Sequence, residues 1–436
     1  MRGATRVSVA TEPNPTSRTA PSPPKVAGGA LSPRLVWVFA VACGLVVANL
    51  YYAQPLLNTI ATAFQSSSGT VGVVATLTQA GYALGLAFIV PLGDLLDRRR
   101  LVVVVLCGTA LALLLAAAAS SLAMLAAASL LIGLTSVVAQ VLIPFAASLA
   151  DEAERGRVVG RVMSGLLVGI LLARTVSGVI AQAASGVLGH AGWRAVYVIA
   201  AVLMVALIAV LWRAMPRPPR QEAQSYGQLL RSMGPLVREE PVLRRRAVYG
   251  ALAFAAFSVF WTSAAFLLAR PPYRLGAGAI GLFGLVGVAG ALCASLAGRL
   301  ADRGLQRYAT PAFLLITLIA YGLMALGGTR LVALIVGVVL LDLGVQGTQI
   351  TNQSEIYRLR PEANSRITTI YMTTYFIGGA VGSATSAVAF GAAGWTGVCI
   401  LGAAYAGLTV LAWLTEGIGT GGRHKARARD ASVGAG

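Results

Sequence analysis

Long apolar stretches separated by short polar segments run through the chain from residue 35 to residue 415. A helix needs roughly 20 apolar residues to cross a bilayer, and twelve stretches have about that length. They are residues 35–57, 70–92, 101–119, 122–149, 158–184, 192–214, 247–269, 277–298, 309–327, 331–353, 367–391 and 395–415. The pattern therefore predicts an all-α integral membrane protein with twelve transmembrane helices.

Polar segments divide these helices into two groups of six. Residues 216–246 form a polar linker between an N-terminal half, 35–215, and a C-terminal half, 247–415. Residues 1–34 are rich in proline, serine and threonine, which predicts a disordered cytoplasmic tail. The basic, glycine-rich residues 416–436 predict a second cytoplasmic tail.

Composition agrees with a membrane location and excludes several enzyme classes. Only 11% of the residues are charged, whereas soluble domains carry roughly 25%. The chain has two lysines and two histidines, all outside the predicted spans, namely Lys25, Lys425, His190 and His424. It therefore lacks the loop lysine of a Walker-type ATPase and the histidines of a zinc protease or serine hydrolase. We predict a protein that is not an enzyme and that needs no metal or other cofactor.

The net charge of +19 follows the predicted topology and does not require a nucleic-acid partner. If both termini are cytoplasmic, fifteen loop arginines lie inside. Four lie outside: Arg194, Arg270, Arg274 and Arg330. The positive-inside rule then places both termini in the cytoplasm. We expect a monomeric multi-pass membrane protein, surrounded by lipid.

A short motif, G-x-L-x-D-R, occurs once in each half at the end of the second predicted span of that half. Its main residues are Gly93, Asp97 and Arg98 in the first copy and Gly298, Asp302 and Arg303 in the second. Repetition at half-chain spacing indicates two parallel repeats, which many transporters have. The alternative is a pair of ordinary basic loops.

Across residues 35–415 the chain resembles the major facilitator superfamily. Residues 93–100 are similar to that family's G-x-L-a-D-R-x-G-R-R signature, and residues 49–57 are similar to helix 1 of a bacterial branch close to the drug/proton antiporters. The resemblance implies that the two halves alternate access to the two sides and that both motif copies form a cytoplasmic gate. We expect Asp97 beside the start of the eleventh span and Gly93 where the second and eleventh spans cross.

The same resemblance implies a location in a bacterial plasma membrane, and we expect a small organic solute as cargo. Efflux by proton antiport is the first expectation, and proton-coupled uptake by symport or facilitated transport is the second. A channel and a membrane receptor are the other classes that the sequence leaves open.

One acidic residue, Asp342, lies deep in a predicted span. Gln346, Gln349 and Gln353 follow it on the same helical face. Such a polar face must point to the bundle interior, and a charge at the bilayer centre costs at least roughly 2.5–3.5 kcal/mol. Asp342 is therefore either a proton acceptor or substrate contact, or an acid held permanently by a helix–helix hydrogen bond or ion pair.

Arg174 is the corresponding basic residue, in the fifth predicted span. It lies beside a ridge of small residues, Gly165, Gly169, Ala173 and Ser177, which favours close helix packing. Three interpretations are open: the side chain extends outward to water, it pairs with an acid such as Asp342, or it contacts an anionic substrate.

Further cavity candidates come from helices that line the central pathway in the resembled family. They are Asn49, Tyr52, Gln54, Gln140, Trp261, Gln346, Gln349, Tyr371 and Tyr375. Aromatic rings with amides suit a mixed organic solute better than an inorganic ion, and plain packing is the alternative for each ring. In the eighth span, Gly281, Gly284, Gly287 and Gly290 predict a packing surface and not a phosphate-binding loop.

Overall fold

A computed structural model describes most of the chain. The ranges described are residues 32–216, 225–287, 289–290, 306–360 and 363–433, without the side chains of 306–308 and 416–433. Over these ranges the regular secondary structure is helical. The second motif copy, residues 298–303, lies outside the described residues.

The N-terminal half consists of eight helices and short 3-10 turns. The helices are α1 (Pro33–Ala48), α2 (Leu57–Ala63), α3 (Ser68–Phe88), α4 (Arg98–Ala117), α5 (Leu122–Thr135), α6 (Val138–Leu149), α7 (Arg155–Leu188) and α8 (Trp193–Ala214). The predicted span 122–149 is broken between α5 and α6, where Ser136 and Val137 leave helical geometry.

Helix starts in this half follow the positions of short polar residues. The hydroxyl groups of Ser67 and Ser121 accept the backbone N–H of Thr70 and Met124. An N-terminal turn leaves four N–H groups without helical partners, so such a cap stabilises it by about 1 kcal/mol.

The remaining described helices belong to the linker and the C-terminal half. They are α9 (Tyr226–Glu239), α10 (Pro241–Ala269), α11 (Ala277–Phe283), α12 (Gln306–Leu326), α13 (Leu331–Ile356) and α14 (Asn364–Val433). Within α14, Ala393 and Gly394 are not helical, and Gly394 has φ of 58°. Glycine enters this region without steric cost, so the break falls where the sequence predicts the boundary between the last two spans.

The described helices cover eleven of the predicted spans and the beginning of the twelfth, 277–298. Nine helices of the described part are long and apolar enough to cross a membrane, and one of them, Asn364–Thr415, has 52 residues. Because of its break, this helix contains two spans. The segment of α1 and α2 supplies one further span, and α11 begins the last one. The predicted all-α membrane fold with two six-helix halves is confirmed.

The outer surface of the bundle is apolar. Large hydrophobic side chains such as Trp37, Val104 and Val187 are exposed by 68%, 68% and 89%. A soluble protein rarely exposes large continuous apolar surfaces, whereas lipid chains solvate them. The surface therefore fits a protein that is embedded in a bilayer.

The two halves meet along two pairs of helices. On the side where α3 begins, Gly72 lies against Ala387 of α14, and further along the same pair the ring of Tyr82 lies 4.3 Å from that of Phe376. The second pair is α7 with α11. We call the side where α3 ends and α14 begins the linker face, and the other side the opposite face.

The predicted polar linker contains α9, which touches both halves on the linker face. The Tyr226 hydroxyl donates a hydrogen bond to the Phe88 carbonyl oxygen at 2.8 Å. At the other end of α9, Arg360 pairs with Glu239 at 3.1 Å and with Glu240 at 2.7 Å. From residue 225 onward, the linker is therefore packed against both halves.

Candidate substrate and proton site

Arg174 is buried on α7 between the two halves, with 3% of its surface exposed. Its Nε donates a hydrogen bond to Gln54 Oε1 at 2.6 Å. The guanidinium carbon lies 4.0 Å from the centre of the Trp261 ring and 4.8 Å from that of Tyr51. Ring faces attract a cation, most strongly in a desolvated place. These contacts stabilise the charge, but Nη2 is buried without a hydrogen-bond partner.

Asp342 is buried on α13, with 5% of its surface exposed. Its Oδ2 atom has no hydrogen-bond partner among the described residues. It is near enough to Arg174 for the two charges to attract one another, yet no ion pair within 4.0 Å joins these two described side chains. A direct Arg174–Asp342 ion pair, which the sequence left open, is therefore not formed in this conformation.

Trp261 of α10 lies next to both charged groups. A Cβ placed on Gly287 would be 2.8 Å from Asp342 Oδ2 and 3.3 Å from Trp261 Cζ2, so the carboxylate and the indole are neighbours. The indole Nε1 lies near the Asp342 carboxylate and stabilises it, but it forms no hydrogen bond of normal geometry. Arg174 Nη2, Trp261 Nε1 and Asp342 Oδ2 thus lack a well-formed hydrogen bond at one place between the halves. Buried polar groups are normally paired, and an unpaired cluster of this kind is a candidate ligand site.

A glycine face on α11 and the residues after it allows the two charged residues to approach. A Cβ on Gly284 would lie 2.9 Å from Arg174 Cβ, and a Cβ on Gly290 would lie 2.6 Å from Asp342 Cβ. The glycines form packing contacts, as the sequence predicts. The residues that they pack against are Arg174 and Asp342, which the sequence pattern did not indicate.

The N-terminal candidates have different partners. Asn49 donates from Nδ2 to the sulfur of Met204 at 3.6 Å, which is a contact within that half. Gln140 donates from Nε2 to the Tyr82 hydroxyl at 3.3 Å. Tyr52 is buried, whereas its neighbour Tyr51 contacts Arg174. Of these candidates, the structure brings Gln54 to the charged cluster.

The C-terminal candidates lie along α13 and α14. The Tyr375 hydroxyl donates to Gln349 Oε1 at 3.2 Å, and Asn352 Nδ2 donates to the Tyr371 hydroxyl at 3.4 Å. Gln346 is partly buried. Of the three glutamines predicted on this face of α13, Gln349 therefore contacts a tyrosine, Gln353 donates to the sulfur of Met372 at 3.8 Å, and Asn352 is an additional amide that the sequence did not indicate.

A continuous series of rings leads from these tyrosines to Arg174. Tyr375 stacks on Phe254 at 4.1 Å, Phe254 stacks on Phe257 at 5.5 Å, and Phe257 lies 6.1 Å from Trp261. Sequence reasoning missed Tyr51 and Phe254 as members of this wall. Phe254 precedes Phe257 by three residues, one helical turn, and this spacing was a usable signal.

The first motif copy differs in detail from the expectation. Asp97 caps α4 by accepting the backbone N–H groups of Arg99 at 2.8 Å and Arg100 at 3.2 Å. Asp94 instead reaches the start of α14, where its Oδ2 lies 3.5 Å from the Ser365 hydroxyl oxygen. The reason is local, because α4 begins directly after Asp97 and its free N–H groups bind that carboxylate.

The glycine and the arginine of this motif pack within the N-terminal half. A Cβ on Gly93 would lie 3.3 Å from Val141 on α6, so Gly93 is not at a crossing with α14 as expected. Arg98 pairs with Asp94 at 3.5 Å and donates to the Gly93 carbonyl oxygen at 3.0 Å. The residues Gly298, Asp302 and Arg303 lie outside the described part of the chain.

Two packed groups of apolar helices with charged residues buried between them are the architecture of multi-pass membrane transporters. The chain belongs to the Major Facilitator Superfamily, whose family model matches residues 36–383. Its relatives and family are transporters and not enzymes.

Individual relatives agree with this assignment. The chain is 49% identical over 383 residues to YgaY, a putative transporter of Escherichia coli (strain K12), covering 88% of this chain and 95% of the relative. It is 39% identical over 414 residues to a probable transporter of Streptomyces coelicolor, covering 94% and 93%. A solved bacterial homolog of the human lysosomal transporter Spinster has the same fold, with a TM-score of 0.69, 15% identity and coverage of 88% and 96%.

The glycine face provides a test of the site geometry. We expect Gly287→Ala to lower transport about tenfold, because the new methyl group occupies space beside Asp342 Oδ2 and overpacking typically costs about 1–3 kcal/mol. The measurement is solute uptake into proteoliposomes at matched protein content. Gly322→Ala on α12 is the control, since a Cβ there meets nothing within 4 Å. Equal transport by the two variants would show that the space between Gly287 and Asp342 is not needed for transport.

Proposed function

We propose that the protein is a proton-coupled secondary transporter of a small organic solute, in which Asp342 binds the proton. The observation that carries this proposal is the unpaired Oδ2 atom of a carboxylate buried between the halves. A buried carboxylate is costly unless it is both paired and hydrogen-bonded, and Arg174 is near Asp342 without forming a direct ion pair with it. Binding a proton removes the charge, so this carboxylate has a physical reason to exchange protons during a transport cycle.

The position of the cluster supports alternating access. Arg174 comes from the N-terminal half, and Trp261 and Asp342 come from the C-terminal half. A ligand bound between the halves faces one side of the membrane or the other as the halves rock against each other. Proton and solute would then cross in the same conformational change, which is the condition for coupling.

The direction of coupling has two candidates. Resemblance to the antiporter branch favours solute efflux in exchange for protons, with the linker face in the cytoplasm. Uptake by symport is the second candidate. The unpaired Nη2 of Arg174 favours it. A proton on Asp342 leaves the arginine charge without compensation, so a bound proton would strengthen the binding of a solute at Arg174. In symport a bound proton strengthens solute binding, whereas in antiport a bound proton weakens it.

We also propose that the linker-face contacts act as the gate. The carboxylate of Asp94 beside Ser365 joins the end of α3 to the start of α14, and Asp97 and Arg98 hold the intervening turn. Separation of the halves on this face has to break the contact between Asp94 and Ser365.

The test begins with a resistance and uptake screen in cells that lack or overexpress the protein. Solutes found in this way are then tested in proteoliposomes with an imposed pH gradient and a pH-sensitive dye inside. We expect solute-dependent proton movement, saturation with solute concentration and counterflow. Solute flux without any proton movement would contradict proton coupling, and flux without saturation or counterflow would indicate a channel.

A further inference from the structure

We infer that the solute is an organic anion, a carboxylate on a flat apolar body, which Arg174 binds while Asp342 carries a proton. This inference rests on the proposed proton-coupled function and names the solute class and the sign of the coupling. It is argued from the unpaired atoms, the charges and the ring wall around them.

The unpaired donors select the ligand's polar group. A guanidinium has five N–H donors and no acceptor, and among the described residues only Gln54 uses one of them, at Nε. At the far end of the guanidinium, Nη2 is buried without a hydrogen-bond partner. A carboxylate accepts two parallel hydrogen bonds from a guanidinium. An ammonium group can accept none, so these donors favour an anion.

Charge balance selects the same ligand. With Asp342 ionised, Arg174 and Asp342 together are neutral. With Asp342 protonated, the site carries one uncompensated positive charge in a low-dielectric place, and an anion restores neutrality. A cationic solute would instead add a second positive charge next to Arg174, and a neutral solute would leave the first one unbalanced.

The same balance determines the sign of the coupling. A proton on Asp342 strengthens binding of the anion, and by linkage the anion strengthens binding of the proton by the same factor. Proton and anion therefore travel together, which is symport. This is the second expectation from the sequence and opposes the efflux by antiport that the resemblance favours.

We assign the change of charge at this site to Asp342. Among the described residues, Arg174 faces it from α7 and the Tyr375 hydroxyl from α14, with the Tyr51 hydroxyl beside Arg174. Trp261 on α10 and the glycines after α11 do not titrate. A guanidinium and a phenol keep one form between pH 5 and pH 8.

The ring wall selects the body of the solute. The rings of Trp261, Phe257, Phe254 and Tyr375 follow one another away from Arg174. Aromatic faces favour offset stacking with another flat ring. A carboxylate held at Arg174 would therefore place an aromatic or other flat apolar group along this wall.

The experiment measures binding to the purified full-length protein with matched probes. Each set has one ring system, phenyl, indolyl or naphthyl, bearing a carboxylate, the corresponding amide or the corresponding amine. Benzenesulfonate serves as an anion whose charge does not change with pH. We expect at least one carboxylate to bind at least tenfold more tightly than its amide and amine, and at least tenfold more tightly at pH 5.5 than at pH 8.

Two variants refine this result. Asp342→Asn is expected to bind the carboxylate at both pH values with the affinity that the wild type has at pH 5.5, because the amide imitates the protonated acid. Arg174→Gln is expected to lose the preference for the carboxylate over the amide. If Arg174→Gln does not fold, Arg174→Lys keeps the charge without the paired donors and is expected to weaken carboxylate binding.

The outcomes separate the two proposals. Tighter binding of amines or amides, no carboxylate binding, or equal affinity at the two pH values would overturn the anion inference. In that case, proton movement with some other solute would still support the proposed function. Absence of proton movement with every transported solute, despite carboxylate binding, would instead overturn the proposed function.

Discussion

Asp342→Asn is expected to abolish solute accumulation driven by a proton gradient and to leave solute exchange across the membrane intact. Asparagine has nearly the same shape as aspartate, so the packing against Gly287 and Gly290 is kept, but its amide cannot take up and release a proton. One proton per solute supports about tenfold accumulation per pH unit, or about 1.4 kcal/mol. We expect this accumulation to disappear.

The measurement is uptake into proteoliposomes with and without a pH gradient, together with counterflow of labelled solute. Glu355→Gln is the matched control, because it removes a carboxylate from the same helix, α13, at its end near the linker face. This control should keep its gradient-driven accumulation. Accumulation by Asp342→Asn at the wild-type level would reject Asp342 as the proton site.

Gly178→Ala is expected to shift the protein toward a state that is open on the opposite face. A Cβ on Gly178 would lie 2.4 Å from the Ala277 carbonyl oxygen and 2.9 Å from Gly281 Cα. Both atoms belong to backbone of the other half, so no side-chain rotation relieves the clash. An overpacking cost of about 1–3 kcal/mol changes a two-state equilibrium about five- to 150-fold.

This shift can be measured as the accessibility of the α7–α11 contact to a water-soluble labelling reagent. A cysteine replaces Gln182, whose Oε1 accepts the Gly278 backbone N–H at 2.8 Å across the same pair of helices, in a background without the native cysteines. A membrane-impermeant maleimide is expected to label it at least about tenfold faster in Gly178→Ala than in the parent. Gly186→Ala on the same helix is the control, since a Cβ there meets nothing within 4 Å. Equal labelling rates in the two variants would reject this contact as a closing element.

Much of the fold could be predicted because membrane spans are determined by local sequence. Each span needs only enough apolar length, because its backbone hydrogen bonds are satisfied within the helix. The break at Gly394 and the polar segment around α9 were visible for the same reason. What the pattern did not predict is the break between α5 and α6 at Ser136 and Val137, because the span 122–149 is apolar throughout.

The site was only partly predictable. Arg174 and Asp342 were identified because a charge inside an apolar span is rare and costly. Their neighbours were harder, because each contact joins residues far apart in the chain. Gln54 lies 120 residues from its partner Arg174. Asp97 caps α4, the helix that directly follows it, and Asp94 is the residue that contacts the start of α14.

The sequence by itself determined that this protein is an all-α membrane protein whose apolar spans fall into two groups, with two charged residues, Arg174 and Asp342, inside those spans. Length, hydropathy and the repeated motif carry that information, because insertion into a bilayer depends on each segment separately. Only the tertiary structure decided that a glycine-lined helix brings Arg174 and Asp342 to one place, with Trp261 beside both and no direct ion pair between them. Helix packing depends on the shapes of surfaces from distant segments, and no single segment contains that information.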